Sequence, residues 1–462
     1  MSNRRDFIKG VGLAVGTGAV FAGPTKAQFS PVGTVGFNMS GFRAPKTPTV
    51  RVGFVGLGMR GPGGVRRMMH IEGVEIVAIC DKRKKCTDKV EKMLANNGMP
   101  KPAVYTGSED AWKEMCKRDD LDLIYIATPW ELHTPMAVYA MEHGKHAATE
   151  VPAATTMEEC WQLVNTSEKT KKHCVVLENC CYDFFEMLTL NMVRQGMFGD
   201  VIHGEGAYIH NLVGLKYSKS GYADMWRLEH NARRNGNLYP THGLGPICQC
   251  MDINRGDRMD YLTSMASNDF TMNAEAKKRS ANDDFYKKYV DRPFRSNINT
   301  TMVRTAKGRT IMIQHDVSSP RPYSRIHLLS GTKAFAQKYP KQQIALGHKA
   351  VSDEKMKELE AKYLPEIVTK IGAMAKQVGG HGGMDFLMGW SLINSLRNGL
   401  PVDMDCYDAA LWSCITPLSI ESIAKRSNSV DVPDFTRGNW KTNKPVALEL
   451  EAVNGVCEIK KA

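Results

Sequence analysis

With 462 residues the chain is long enough for two domains and a large core. Its formal charge of +12 is dispersed: Arg4, Arg5, Lys9 and Lys26 against Asp6 supply part of it, and no basic stripe with interleaved aromatics stands out, which argues against nucleic acid as a partner. The twelve cysteines form no C-x-x-C pair and lack the density of a small disulfide scaffold, so most are expected to be buried thiols rather than bridges or zinc ligands.

The chain begins with Asn3-Arg4-Arg5-Asp6-Phe7-Ile8-Lys9, which has the form of a bacterial twin-arginine signal. The mildly apolar stretch 11–22 is too short and too glycine-rich to span a membrane permanently. Residues 1–27 are therefore expected to direct export to the periplasm or beyond, with cleavage near Ala27, and no cysteine follows that would take a lipid anchor. Residues 28–48, rich in Gly, Pro and Ser, read as a linker or surface arm.

From residue 49 strand and helix alternate. Val52, Phe54 and Val55 form a short apolar run, and Gly56, Gly58 and Gly61 follow at the spacing G-x-G-x-x-G. In that pattern the first glycine permits a tight turn and the second lets the backbone approach a pyrophosphate. The third lets the next helix pack on the strand, its free N–H groups facing the phosphates. A second apolar run, 74–80, ends in Asp81, twenty residues after Gly61. A carboxylate there accepts hydrogen bonds from an adenosine ribose and repels a 2′-phosphate. Despite Arg60, Arg66, Arg67 and the basic run 82–85, this favours NAD over NADP.

Strands are expected at 121–127, 146–149 and 175–177, with helices at 134–143 and 156–171. Repeated βαβ units imply a parallel, doubly wound α/β sheet, a Rossmann domain over 49–184. Ligands of such sheets sit beyond the carboxyl ends of the strands, so Trp130, His133, Glu150 and Asn179 should face the cofactor crevice. From 185 to 462 the texture changes to an α+β domain with an open, mainly antiparallel sheet, its strands at 201–208, 261–266, 300–305, 310–314 and 326–329. Helices are expected at 353–363, 384–397 and 408–425, the last two returning to the first domain. The basic cluster 279–295 is broken by Asp283, Asp284 and Asp291 and reads as a solvated face. His, Glu and Asp do not cluster at metal spacings along the chain, so no metal is expected.

At Ala127-Thr128-Pro129 through His133, and at Glu150-Val151-Pro152, the chain resembles the glucose-fructose oxidoreductase and inositol dehydrogenase superfamily. The superfamily pairs a Rossmann domain with an open sheet that floors the substrate site, and dimers are common in it. Its dehydrogenases carry Glu-Lys-Pro, the lysine helping proton transfer at the sugar hydroxyl. Here Val151 stands at that place, and valine cannot exchange a proton, which argues against an ordinary sugar dehydrogenase.

A narrower resemblance covers nearly the whole chain after the signal. Gly-Leu-Gly-Met-Arg-Gly at 56–61, Glu-Val-Pro-Ala at 150–153, Trp-Arg at 226–227 and Asn-Leu-Tyr-Pro-Thr-His-Gly at 237–243 resemble glycoside hydrolase family 109. So do Pro-Arg-Pro-Tyr-Ser at 320–324 and Gly-Gly-His-Gly-Gly-Met-Asp at 379–385. The resemblance implies an α-N-acetylgalactosaminidase with tightly held NAD. It implies cofactor contacts at Met59, Arg60, Asp81, Trp130, Glu131, Leu132, His133, Glu150, Val151 and Asn179, and sugar contacts at Tyr208, Arg227, Tyr239, Pro240, Thr241, His242 and Tyr323.

Most glycosidases flank the scissile bond with two carboxylates, and NAD-dependent families are exceptions. The chemistry implied by the resemblance is oxidation at C3 of the sugar, loss of the acidified C2 proton with elimination of the aglycone, addition of water at C1 and re-reduction, with retention. Such a cycle needs acid/base groups suited to operating pH, and His and Tyr qualify. Tyr239 and His242 are three residues apart, a step that brings two side chains to one wall. His242 is expected to act at the C3 hydroxyl and Tyr239 at C2 or in support, or the reverse. Glu150 is expected to hold the sugar or relay a proton, and His381, among four glycines, to sit in a loop over the site or a hinge. An NAD-dependent sugar oxidoreductase with net turnover, and an NAD-bearing sugar-binding protein without catalysis, are the competing readings.

Overall fold

The computed structural model describes residues 36–450 apart from 446 and 449. The expected signal at 1–27 and the opening residues of the 28–48 arm lie outside the described residues.

The first apolar runs form β1 (Val50–Val55), β2 (Val74–Asp81), β3 (Ala103–Thr106), β4 (Leu123–Ile126), β5 (His146–Thr149) and β6 (Cys174–Val176). They lie parallel in the order β3-β2-β1-β4-β5-β6. β4 and β5 are buried at every position, as central strands covered on both faces must be. The chain order reverses between β1 and β4, which opens a crevice at the carboxyl ends of those strands.

The second sheet is built from β7 (Val201–Ile209), β8 (Met259–Ala266), β9 (Ile298–Thr305), β10 (Thr310–Asp316), β11 (Leu328–Gly331), β12 (Ala334–Gln337), β13 (Gln343–Leu346) and β14 (Val430–Asp431). Their order is β13-β12-β11-β7-β10-β9-β8-β14, antiparallel throughout except for the parallel pair β7 and β10. The strand expected at 326–329 starts late: Ile326 and His327 take φ of 60° and 46°. Arg325 and His327 are both drawn to the helix Phe184–Arg194, Arg325 bonding Glu186 and His327 bonding Thr189 at 2.9 Å, and the backbone between them twists out of the extended form.

One contact fixes the helix Thr241–Cys250 on this sheet. A Cβ at Gly206 would stand 2.2 Å from Gly243 O, and one at Gly243 would stand 2.2 Å from Ala207 N. Main chain therefore touches main chain, which only glycine on both sides permits.

The helices Met384–Asn398 and Cys406–Ala424 pack on the Rossmann half. Gly389 faces Met68 and Ile71, and Ser413 Oγ accepts hydrogen bonds from Ala153 N and Ala154 N at 3.1 and 3.2 Å. Asp405 and Asp408 form a capping box at the start of the second helix, and both hold buried Arg255, at 2.9 and 2.6 Å. One hydrophobic core runs through both sheets. A separate small core, Tyr217, Met225, Leu228, Met272, Ala276, Tyr286 and Tyr289, joins segments 213–233 and 272–294.

The basic cluster 279–295 sits on that small core, with Arg279–Glu275, Lys287–Asp284 and Lys277–Asp291 paired at its surface. Arg295 departs from the expected solvated face: it is buried and donates to the carbonyls of Asn297 and His315, because the chain turns inward there to enter β9. The eleven described cysteines are free thiols, and among the described residues no helix is long and apolar enough to cross a membrane.

Asp403 is a half-buried acid that accepts hydrogen bonds from Tyr182 and Ser391. Burial, with the Asp408 and Asp405 charges behind it, pushes its carboxyl up to about 7. A folded value above the unfolded one means that the folded state binds the extra proton between roughly pH 4 and 7, so stability falls as pH rises through that window. Asp403→Asn is expected to unfold at higher denaturant than wild type at pH 8, by about 1–3 kcal/mol, and to lose most of that advantage at pH 5. Urea titrations at the two pH values check it.

Candidate active site

The glycine loop after β1 has the form that the spacing demands. Gly56 takes φ +88°, where a Cβ would meet the Ala127 carbonyl 2.6 Å away, and a Cβ at Gly61 would stand 1.9 Å from Gly56 O. A Cβ at Gly58 would meet nothing within 4 Å. The middle glycine thus faces open space at the carboxyl end of β1, the room that a pyrophosphate takes. Asp81 accepts from Leu57 N at 2.8 Å on one oxygen and from Arg83 N at 2.9 Å on the other, which fixes the carboxylate while leaving lone pairs for ribose hydroxyls. Met59 and Leu132 are exposed at this rim.

Arg60 projects from the same loop and is held by two carboxylates, with N–H groups to spare for a ligand. Its Nε donates to Glu150 Oε1 at 2.7 Å and its two terminal nitrogens donate to Asp385 at 2.8 and 3.0 Å. Tyr125 OH also donates to Glu150 Oε1, at 3.0 Å. Glu150 is therefore held in an ion pair at the end of β5, and its charge reaches Tyr239, helping to keep that phenol protonated. Val151 is buried. Asn179, just past β6, donates to Asp385.

Trp130 and His133 follow β4 and part company. Trp130 packs against Trp226, His230 and Tyr239 with ring centroids 5.0, 5.0 and 5.6 Å away, and its buried Nε1 has no hydrogen-bond partner among the described residues. The His133 ring is buried: its nitrogens lie 2.8 and 2.9 Å from the carbonyls of Pro152 and Thr128, and burial lowers its basicity. It pins two loops and has nothing left to offer a ligand. Glu131 bonds His230 at 2.9 Å.

Across the crevice the second sheet brings aromatic and basic groups together. Tyr208, near the end of β7, lies 4.7 Å from the Tyr239 ring and 5.3 Å from the His242 ring, and Tyr239 and His242 meet edge to face at 4.9 Å. The Gly206–Gly243 contact produces this closeness, because His242 precedes Gly243 in the first turn of its helix. Pro240 and Thr241 lead into that turn, Thr241 fully buried. The Arg227 guanidinium is ringed by Tyr222, Trp226, Trp130 and Tyr239 at 4.4, 5.1, 5.1 and 5.2 Å. Tyr323 stands at the rim, its hydroxyl accepting from Arg325 at 3.3 Å. Burial drives the Tyr239 phenol well above its ordinary range, against the pull of the Arg227 charge, so it is a neutral proton donor near pH 7.

The group that sequence reasoning missed is Glu178. It is fully buried, and its Oε1 lies 2.7 Å from His242 Nδ1. Burial pushes this carboxyl up, but the His242 ring together with hydrogen bonds such as that from Cys180 N outweighs it, and the net shift is downward. An ionised Glu178 holds the proton on Nδ1 and turns Nε2 outward as a base. Cys180 joins Glu178 and His242 in a set whose ligand atoms lie within 4.8 Å of one another, although chain spacing shows no such cluster. Burial drives the Cys180 thiol well above its ordinary range, so with no cation beside it the thiol keeps its proton.

Comparisons with known proteins agree with both halves. Residues 50–178 match the oxidoreductase family with an NAD-binding Rossmann fold, and residues 182–442 match the glycosyl hydrolase 109 C-terminal domain. A glycosyl hydrolase family 109 protein of Phocaeicola vulgatus is 50% identical over 414 residues, covering 86% of each chain. A Bacteroides fragilis protein named alpha-N-acetylgalactosaminidase is 50% identical over 409 residues, covering 87% of this chain and 95% of its own. Among solved structures, an NAD binding oxidoreductase from Klebsiella pneumoniae has a TM-score of 0.63 at 15% identity, covering 84% of this chain and all of that one. A levoglucosan dehydrogenase complex with NADH has a TM-score of 0.61 at 17% identity, again covering 84% and 100%. The crevice with its open central glycine and ribose-facing carboxylate is an NAD site, and the chain belongs to glycoside hydrolase family 109.

Proposed function

We propose that this protein hydrolyses terminal α-linked N-acetylgalactosamine with retention, using NAD that stays in its crevice. The observation that carries the reading is the His242–Glu178 pair, which supplies a base opposite the glycine loop in a chain whose residue 151 cannot exchange a proton. The name of the half-identical Bacteroides fragilis protein supports the sugar.

Gly56, Gly58, Arg60 and Asp81 would hold the nucleotide, and when bound it supplies a hydride acceptor for C3 of the sugar and afterwards the donor. His242 Nε2 takes the C3 hydroxyl proton, and the Glu178 carboxylate stabilises the ring as it charges. Tyr239, kept neutral by burial, donates a hydrogen bond to the oxygen charge that builds as the C2 proton passes to His242, which has by then released its first proton to solvent, and the aglycone leaves C1 with a proton from water. Arg227, held by its aromatic ring of neighbours, and Tyr208 and Tyr323 orient the sugar.

The purified protein is expected to carry about one NAD per chain and to hydrolyse a nitrophenyl α-N-acetylgalactosaminide with no net change in nicotinamide absorbance. Steady accumulation of NADH would instead identify a sugar oxidoreductase with net turnover. The reading includes export by the twin-arginine signal, checked by cell fractionation. It also includes a homodimer, supported by Ile202, Tyr261, Met265 and Met302 exposed on the second sheet and checked by light scattering.

A further inference from the structure

The turn 379–383 has a backbone that its sequence explains and a purpose that the chemistry above does not use. All five residues have positive φ: 88° at Gly379, 93° at Gly380, 46° at His381, 75° at Gly382 and 107° at Gly383. Four glycines make such a run affordable. It delivers Asp385 to a buried position where a Cβ on Gly380 would already stand 2.8 Å from the Asp385 side chain.

Asp385 is the meeting point of several donors from different parts of the chain. Its two oxygens take both terminal nitrogens of Arg60, a bidentate fork at 2.8 and 3.0 Å. Asn179, past the end of β6, donates to one oxygen, and His381 Nδ1 lies 2.9 Å from the other. Arg67 approaches at 3.5 Å. Through Arg60 Nε the network continues to Glu150, past the end of β5. These partners come from the residues that follow β1, β5 and β6, so the network spans the carboxyl edge of the Rossmann sheet, where a dinucleotide lies. The opposing charges also hold the Asp385 carboxyl well below the usual range despite its burial.

We propose that Asp385, presented by the glycine turn, is a latch: it fastens Arg60 across the loop 56–61 and slows the escape of NAD. The proposal rests on the reading that NAD is retained between turnovers. Asp385 is a positioning residue, because it acts on the nucleotide through Arg60. A second ion pair, Arg83–Asp224, also joins the two halves beside the ribose-binding carboxylate, but Asp224 is mostly exposed. Exposed pairs hold little, and buried forks govern release rates.

The test measures NAD itself. Wild type, Asp385→Asn, Gly380→Ala and Asp224→Asn are purified as full chains, their bound NAD is assayed, and its release is timed by exchange against excess labelled NAD. Asp385→Asn removes the charge. Gly380→Ala keeps the charge but displaces the carboxylate, and it decides the matter if the first variant fails to fold. The expected result is release at least ~10-fold faster from Asp385→Asn and Gly380→Ala, with far-UV spectra unchanged, and a wild-type rate from Asp224→Asn. Wild-type release from both latch variants would overturn the latch while leaving retained NAD intact. A wild type that neither carries nor takes up NAD would overturn both.

Discussion

Replacing His242 with alanine is expected to lower kcat by about 10²–10⁴-fold while the purified protein keeps its full complement of NAD. Those two results belong together because His242 lies across the crevice from the glycine loop and bonds Glu178 and no residue of that loop. Loss of the base stops formation of the ketone, and without a ketone the C2 proton is not acid. Incubation with substrate in heavy water should therefore show no deuterium at C2 for the variant and ready incorporation for wild type. Normal incorporation in the variant would remove His242 from the chemistry and shift attention to Tyr239, whose ring is 4.9 Å away.

Glu178→Gln is expected to lower kcat by about 10²-fold with little change in KM. The amide has nearly the shape of the acid, so packing survives, but it no longer fixes one tautomer of His242 or stabilises the ring's positive charge. Kinetics separate this from simple loss of structure, because kcat should fall while KM and the bound NAD stay near wild type. A rise in KM or a loss of NAD with kcat unchanged would reduce Glu178 to a packing residue. The lowered carboxyl also predicts that its contribution to stability is present above the ordinary carboxylate range and is lost as pH falls through the folded value.

The Rossmann half was legible because continuous apolar runs such as 121–127, punctuated by glycine and ending in polar residues, have few other solutions. β3 escaped because all four of its residues are half-buried at the sheet edge, which leaves neither a continuous run nor a clear alternation. β12 and β13 are only four residues each. For the site, the rule that strand ends face the crevice pointed to Glu150 and Asn179 and passed over Glu178, the residue before Asn179. Both glutamates follow strands, and their chemistry differs only through partners that arrive from far along the chain, Arg60 for one and His242 for the other. Which carboxylate meets the histidine depends on how the helix Thr241–Cys250 docks. That docking is decided by two glycines 37 residues apart, Gly206 and Gly243, and hydrophobic periodicity does not register it.

The small separate core under segments 213–233 and 272–294 has a consequence for how substrate choice can drift. It carries Arg227 on a scaffold with an apolar core of its own, joined to the rest of the site through Trp130 and Tyr239, whereas the histidine wall is soldered to the sheet by backbone contact. Mutations that reshape the first can accumulate without loosening the second. New glycan preferences should therefore arise by remodelling that satellite, while the machinery for breaking the bond is inherited unchanged.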